Sequence, residues 1–199
     1  MLKRHPLSEQ GRLVAGVDEV GRGSVAGPVV AACVILNPGF SSPLLKDSKK
    51  LSENKRIEAS KLIMENSVFF RIAQIEAYRI DEINILNATM EAMNKCVIGQ
   101  PMDLLLVDGN QWRNQYNGIP YELVVKGDNT YQEIAAASII AKTYGYTNAR
   151  TLFRISGLWL GVKCGIFFCR SYSRSTETRN YSTTQKIFSE EIYTIIWST

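Results

Sequence analysis

An apolar segment that ends in two adjacent acids constrains this chain more than any other feature. Leu13–Val17 is short and apolar and runs directly into Asp18-Glu19. Such a run reads as a strand that delivers both acids at its C-terminal end. The glycine-rich loop GRGSVAG follows, and then PVVAACVILN, a continuous apolar run rich in β-branched residues. A run without alternation is expected of a strand covered on both faces, which requires layers of helix on either side.

The rest of the first 144 residues supplies those layers. Ser52 is a suitable N-cap for a helix over ENKRIEASKLIMEN. VFFRIAQIEA reads as a third strand. Ile80, Ile83, Leu86, Met90, Met93 and Val97 recur at helical spacing, which predicts an amphipathic helix over 79–97. DLLLV is a fourth strand ending at Asp108, and YELVV a fifth ending at Lys126-Gly127-Asp128. YQEIAAASIIAKTY is then a helix whose small residues suit close packing. Strands lead, helices follow and acids stand where strands end. That is an α/β layout, with ligands expected beyond the strand C-termini.

Composition removes several chemistries. His5 is the only histidine, and it lies near a terminus expected to fray. Ser-His and Cys-His triads therefore have no plausible base. The four cysteines, Cys33, Cys96, Cys164 and Cys169, form no CxxC pair, so a zinc site is not expected. Cys33 and Cys96 sit in apolar runs and read as buried thiols. No stretch approaches membrane-spanning length and the N-terminus has no apolar signal segment, so a cytoplasmic protein is expected. The net charge of +4 is compatible with a polyanionic partner without demanding one.

If this is an enzyme, carboxylates or lysines must then carry the chemistry. Asp18, Glu19, Asp108 and Asp128 each have a structural reading when taken singly: Asp108-Gly109 suits a turn, and Asp128 suits a helix cap. As a set they differ. Adjacent acids at the end of a buried strand are costly without cations. Three strands ending in acids can bring these groups to one sheet edge, where hard oxygen donors suit Mg²⁺ or Mn²⁺. Such clusters support two-metal phosphodiester hydrolysis. Arg22 lies between Gly21 and Gly23, in a loop whose backbone can approach a ligand closely. Lys46, Lys49 and Lys50 form a basic cluster, and with Lys126 and Lys142 they read either as a solvated face or as phosphate contacts. Ser138 serves equally well as a close-packing residue or a phosphate contact.

Five ordered motifs, GVDEVGRGSVAGPVVAACVIL, LKDSKKLS, LLLVDGN, VVKGD and AAASIIAK, together resemble bacterial ribonuclease HII from about residue 13 to residue 144. The resemblance implies an RNase H-like α/β fold with a central mixed sheet flanked by helices. It implies an endonuclease that uses Mn²⁺ or Mg²⁺ to hydrolyse the RNA strand of RNA–DNA hybrids and to cut 5′ to ribonucleotides embedded in duplex DNA. Asp18, Glu19, Asp108 and Asp128 would be the metal-binding catalytic acids. Gly21, Arg22 and Gly23 would sense the ribose 2′-hydroxyl. Lys49, Ser138 and Lys142 would lie at or near the nucleic-acid backbone. A monomer acting on nucleic acid, away from membranes, is expected.

After Tyr144 the sequence departs from the family, giving a body over 1–144 and an irregular tail over 145–199. Gly145-Tyr146 stands where the family has Arg-Asp. The family's later Gly-Tyr and HRxSF-like motifs are missing. Synonymous codons for residues 145–168, read one base out of register, give RDTLMQELFSEYPDYGWESNAGYF, and the same register continued yields HRKSF. The tail is thus expected to be a shifted-frame reading of a normal C-terminal helical region. The alternative for the tail is a divergent natural sequence; the alternative function for the chain is an inactive or weakly active nucleic-acid-binding remnant, because the C-terminal substrate-closing region is lost.

Overall fold

The computed structural model describes residues 2–24, 27–113, 118–156, 160–163 and 166–169. Its centre is a five-stranded sheet in the order β3-β2-β1-β4-β5. The strands are β1 (Val14–Val20), β2 (Val29–Leu36), β3 (Ser67–Ile75), β4 (Leu104–Asp108) and β5 (Tyr121–Val124). β1, β2 and β3 pair antiparallel, whereas β1–β4 and β4–β5 are parallel. The sheet is mixed, as expected, and β2 is buried along its whole length.

The helices are α1 (Pro6–Glu9), α2 (Glu53–Glu65), α3 (Ala77–Val97) and α4 (Gln132–Ser156). Period-two alternation divides the core between the two faces of the sheet. Ala15, Val17, Ala31, Cys33, Leu105 and Val107 pack with α3 residues such as Met93 and Cys96. Ala32, Val34 and Leu36 pack with α2 and with Ala137, Ile140 and Ala141 of α4. Val14, Leu104 and Leu106 meet Ile134. Both Cys33 and Cys96 are buried free thiols, and burial pushes the Cys96 thiol up to about 12. No described helix is long and apolar enough to cross a membrane.

Four features differ from expectation. The amphipathic helix over 77–97 breaks at Asn84, which adopts φ 66° and ψ 163°. The Asn84 carboxamide oxygen accepts from the amides of Leu86 and Asn87 at 3.1 Å each, so it caps a second helical segment that periodicity alone cannot separate from the first. Ser52 holds the N-cap position of α2, but its side chain makes no capping bond. The amino terminus does not fray: His5 is buried and its ring caps α1 by accepting from the Leu7 amide. Finally, α4 runs on past Tyr144 to Ser156, so the irregular sequence begins inside a helix. Beyond it lies a hairpin of β6 (Leu160–Lys163) and β7 (Ile166–Cys169). The rest of the expected tail falls outside the described residues.

Candidate active site

The parallel register aligns Val17 with Val107, which brings the next residues, Asp18 and Asp108, to the same sheet edge. Alternation then sets their faces. Val14, Leu104 and Leu106 face α4, so Asp18 and Asp108 fall on the α4 side and Glu19 on the side of α3. Asp128 arrives separately, in a short 3₁₀ turn over Gly127–Asn129, and its carboxylate accepts from Asn129 Nδ2 at 3.1 Å. Asp18 and Asp128 are buried.

The turn that carries Asp128 needs unusual backbone. Lys126 adopts the left-handed conformation at φ 57°, which aims the Gly127 amide at Asp108 Oδ1, 2.6 Å away. A Cβ on Gly127 would lie 2.3 Å from Ile134 Cδ1 and 3.3 Å from that same carboxylate oxygen. A side chain at 127 would therefore have to displace the end of the Ile134 side chain and crowd the Asp108 carboxylate.

The cluster resists ionisation. Asp18 is pushed up to about 6 by burial first and by the Glu19 charge second, against the opposing pull of Lys142 and a hydrogen bond from Ser138. Asp108 is also pushed up to about 6, by burial and then by the charges of Asp18 and Asp128. Burial raises Glu19 as well, while Arg22 at 3.3 Å works against it. Carboxylates crowded in this way want positive charge.

The protein supplies some of that charge itself. Lys142 Nζ lies 3.9 Å from Asp18 Oδ2 and donates to Ser48 Oγ and Ser138 Oγ at 2.7 Å each. The two hydroxyls are 3.0 Å apart, and both serines are fully buried. Ser138 and Lys142, one helical turn apart on α4, thus flank Asp18. Lys49 and Lys50 are exposed on the turn Ser48–Lys50, where Lys50 Nζ donates to Asn129 Oδ1 at 3.3 Å beside Asp128. Gly21 adopts φ 107°, and a Cβ there would meet the Pro28 carbonyl at 2.5 Å, whereas Gly23 faces open space. Arg22 is half exposed and pairs with Glu19. Sequence reasoning missed Ser48. It is one polar residue in a polar loop, and no periodic pattern connects it to Lys142, ninety-four positions away.

Among the described residues, no three such side chains are already close enough to grip one ion. Asp108 Oδ1 accepts from the Gly127 amide at 2.6 Å, and Asp18 Oδ1 accepts from the Glu19 amide at 2.7 Å. The donor chemistry nevertheless fits hard divalent cations: four carboxylates, three of them (Asp18, Glu19 and Asp108) with raised proton affinity, and no histidine or thiol nearby among the described residues.

A stability consequence follows from Asp108. Its folded-state value of about 6 lies above the ordinary 3.8, so the folded state holds this proton more tightly than the unfolded chain does. Metal-free protein therefore gains stability as pH falls through about 6 toward 3.8, and the ionised group costs stability above that window. Asp108→Asn removes the cost and keeps an acceptor for Gly127. Its metal-free melting temperature exceeds that of the parent at about pH 7.5, and the gap narrows as the pH drops through 6. Identical melting temperatures at the higher pH would contradict this.

Comparison with known proteins shows the family and the fold. The family profile described as Ribonuclease HII matches residues 15–188. A ribonuclease HII of Cytophaga hutchinsonii is 49% identical over 138 residues, covering 68% of each chain. The ribonuclease H2 structure from Pyrococcus horikoshii OT3 superposes with a TM-score of 0.61 at 27% identity, covering 72% of this chain and 77% of that one. Bst-RNase HIII, solved in complex with Mn²⁺, shares the fold at 19% identity with a TM-score of 0.57, over 77% of this chain and 59% of its own.

Proposed function

The chain belongs to the ribonuclease HII family and is an endonuclease of the ribonuclease H class, and from that premise we propose that it hydrolyses the RNA strand of RNA–DNA hybrids and cuts 5′ to single ribonucleotides in duplex DNA. The observation that carries this reading is the convergence of Asp18, Glu19, Asp108 and Asp128 at one sheet edge, with raised proton affinity in three of them.

These four residues would hold the divalent cations, Mn²⁺ or Mg²⁺, with two expected. When bound, such ions neutralise charge on the phosphate, lower the pKa of an attacking water and stabilise the leaving oxygen. The chain's own groups do the rest. Lys142, held by Ser48 and Ser138, places a positive charge beside Asp18 that works against the burial raising its proton affinity. The Gly127 amide orients Asp108. Arg22, in a loop that carries Gly21 and Gly23, stands beside Glu19, where it can meet the sugar or the phosphate of an RNA residue. Lys49 and Lys50 add positive charge on the approach to Asp128.

A duplex with one embedded ribonucleotide, incubated with Mg²⁺ or Mn²⁺, tests the proposal. The expected product is a single cut 5′ to the ribonucleotide leaving 3′-hydroxyl and 5′-phosphate ends, with an all-DNA duplex untouched. Cleavage of the all-DNA duplex, or cutting in chelator, would defeat it.

Residues 145–199 belong to the same proposal as a shifted-frame reading of the family's C-terminal region. Tyr121 and Leu123 of the edge strand β5, and Val125 just beyond it, are exposed apolar side chains of the kind that invite association. The chain as written is expected to cleave more slowly than its relatives. Restoring the register by one base near codon 145 is expected to raise both cleavage rate and soluble yield. Sequencing the coding DNA decides the matter: if no single-base change there restores Arg-Asp, Gly-Tyr and HRKSF together, the reading is wrong.

A further inference from the structure

The amino-terminal segment does more than cover the core. Lys3 bridges to Tyr131 in parallel, and the Gln132 amide donates to the Lys3 carbonyl at 3.0 Å. Gln132 Nε2 donates to the Leu2 carbonyl at 2.7 Å. In the first turn of α4, Glu133 is fully buried. Its Oε1 accepts from Arg4 Nε at 2.7 Å, from Ser8 Oγ at 2.6 Å and from the His5 amide at 3.3 Å. The Arg4 guanidinium also donates to the carbonyls of Asn37 and Phe40, which ties this grip to the loop after β2.

What is gripped runs along the active site. A Cβ on Gly16 would lie 2.2 Å from the Glu133 carbonyl carbon and oxygen, so the first turn of α4 presses on β1 two residues before Asp18. Farther along α4, Ser138 and Lys142 reach Asp18, and a Cβ on Gly145 would lie 2.8 Å from Val20 Cγ1. Helix and strand therefore run side by side in the same direction. A slide of α4 along β1 would carry Ser138 and Lys142 away from Asp18. The apolar contacts of α4, from Ala137 and Ala141 as well as Ile134, Ile139 and Ile140, are non-directional. Directional, charge-assisted bonds to a buried carboxylate resist such sliding well.

We propose that residues 2–8 form a clasp that sets the axial position of α4 on β1, with Arg4, Ser8 and Glu133 as positioning residues for the Ser138–Lys142 pair beside Asp18. Only the kinetic half of the test rests on the proposed cleavage. In the metal-free full chain, the Lys142 ε-methylene NMR resonance, assigned with Lys142→Arg, reports the surroundings of the ammonium directly. Ser8→Ala and Arg4→Met are expected to move that resonance. Arg12→Gln, which breaks an exposed pair with Asp103 in the same part of the chain, is expected to leave it in place. In cleavage assays the two clasp variants are expected to lose about tenfold in kcat, with KM held within about twofold, as displaced groups rather than lost binding would give. If Arg4→Met does not fold, Ser8→Ala decides alone, since it removes one hydroxyl and leaves the ion pair. An unmoved Lys142 resonance in folded Ser8→Ala overturns the clasp. If the parent chain cleaves nothing, the functional reading fails and the resonance still decides the clasp.

Discussion

Asp18→Asn lowers cleavage of a ribonucleotide-containing duplex by about a thousandfold or more, equivalent to ~4 kcal/mol of transition-state stabilisation, while the chain stays folded. The side chain is buried at the strand end and nearly isosteric with its replacement. It loses charge and one acceptor oxygen, however, at the position where Ser138, Lys142 and the Glu19 amide all converge. A carboxylate so placed contributes through charge, and an uncharged amide cannot replace it. The measurement is a single-turnover cleavage assay beside a melting curve, with the register-restored chain as parent if the chain as written is slow. Activity that survives the substitution would sink the assignment of Asp18, and with it the reading of the cluster.

Gly16→Ala destroys the fold or costs about 3 kcal/mol or more, as overpacking against rigid backbone does. The new methyl would need the space of the Glu133 carbonyl group and of the Ile134 amide, 2.2 and 2.5 Å away. Neither is the end of a flexible side chain, so β1 and α4 must part. That separation would also withdraw Ser138 and Lys142 from Asp18. Denaturant unfolding followed by circular dichroism checks the claim. A variant as stable as its parent would mean that the two backbones are not in contact at this point. Gly23→Ala, whose Cβ would meet nothing within 4 Å, is the matched control for glycine replacement.

The two substitutions mark how far the sequence could be read. Asp18, Glu19 and Asp108 were legible because each ends an apolar run, and a run ending in an acid is a local pattern. Asp128 was legible only as a member of the set, since by itself it also reads as a cap. The five strands and the small-residue helix were legible for the same local reason. Asn84 was not, because its cap lies within unbroken helical periodicity. His5 was misjudged because nearness to a terminus carries no information about what Tyr131, Gln132 and Glu133 will hold against it.

The sequence by itself therefore determined the layers, through side-chain period and residue type at strand ends, and the family, through the resemblance that five ordered motifs carry. Only the tertiary structure decided that Asp18 and Asp108 share the α4 side while Glu19 faces the other way. It alone brought Ser48 to Lys142 and the amino terminus to Glu133. Those pairings join residues some ninety to one hundred and thirty positions apart. They depend on the parallel register of β1 with β4 and on how α4 settles on β1, and no short-range pattern of polarity encodes either.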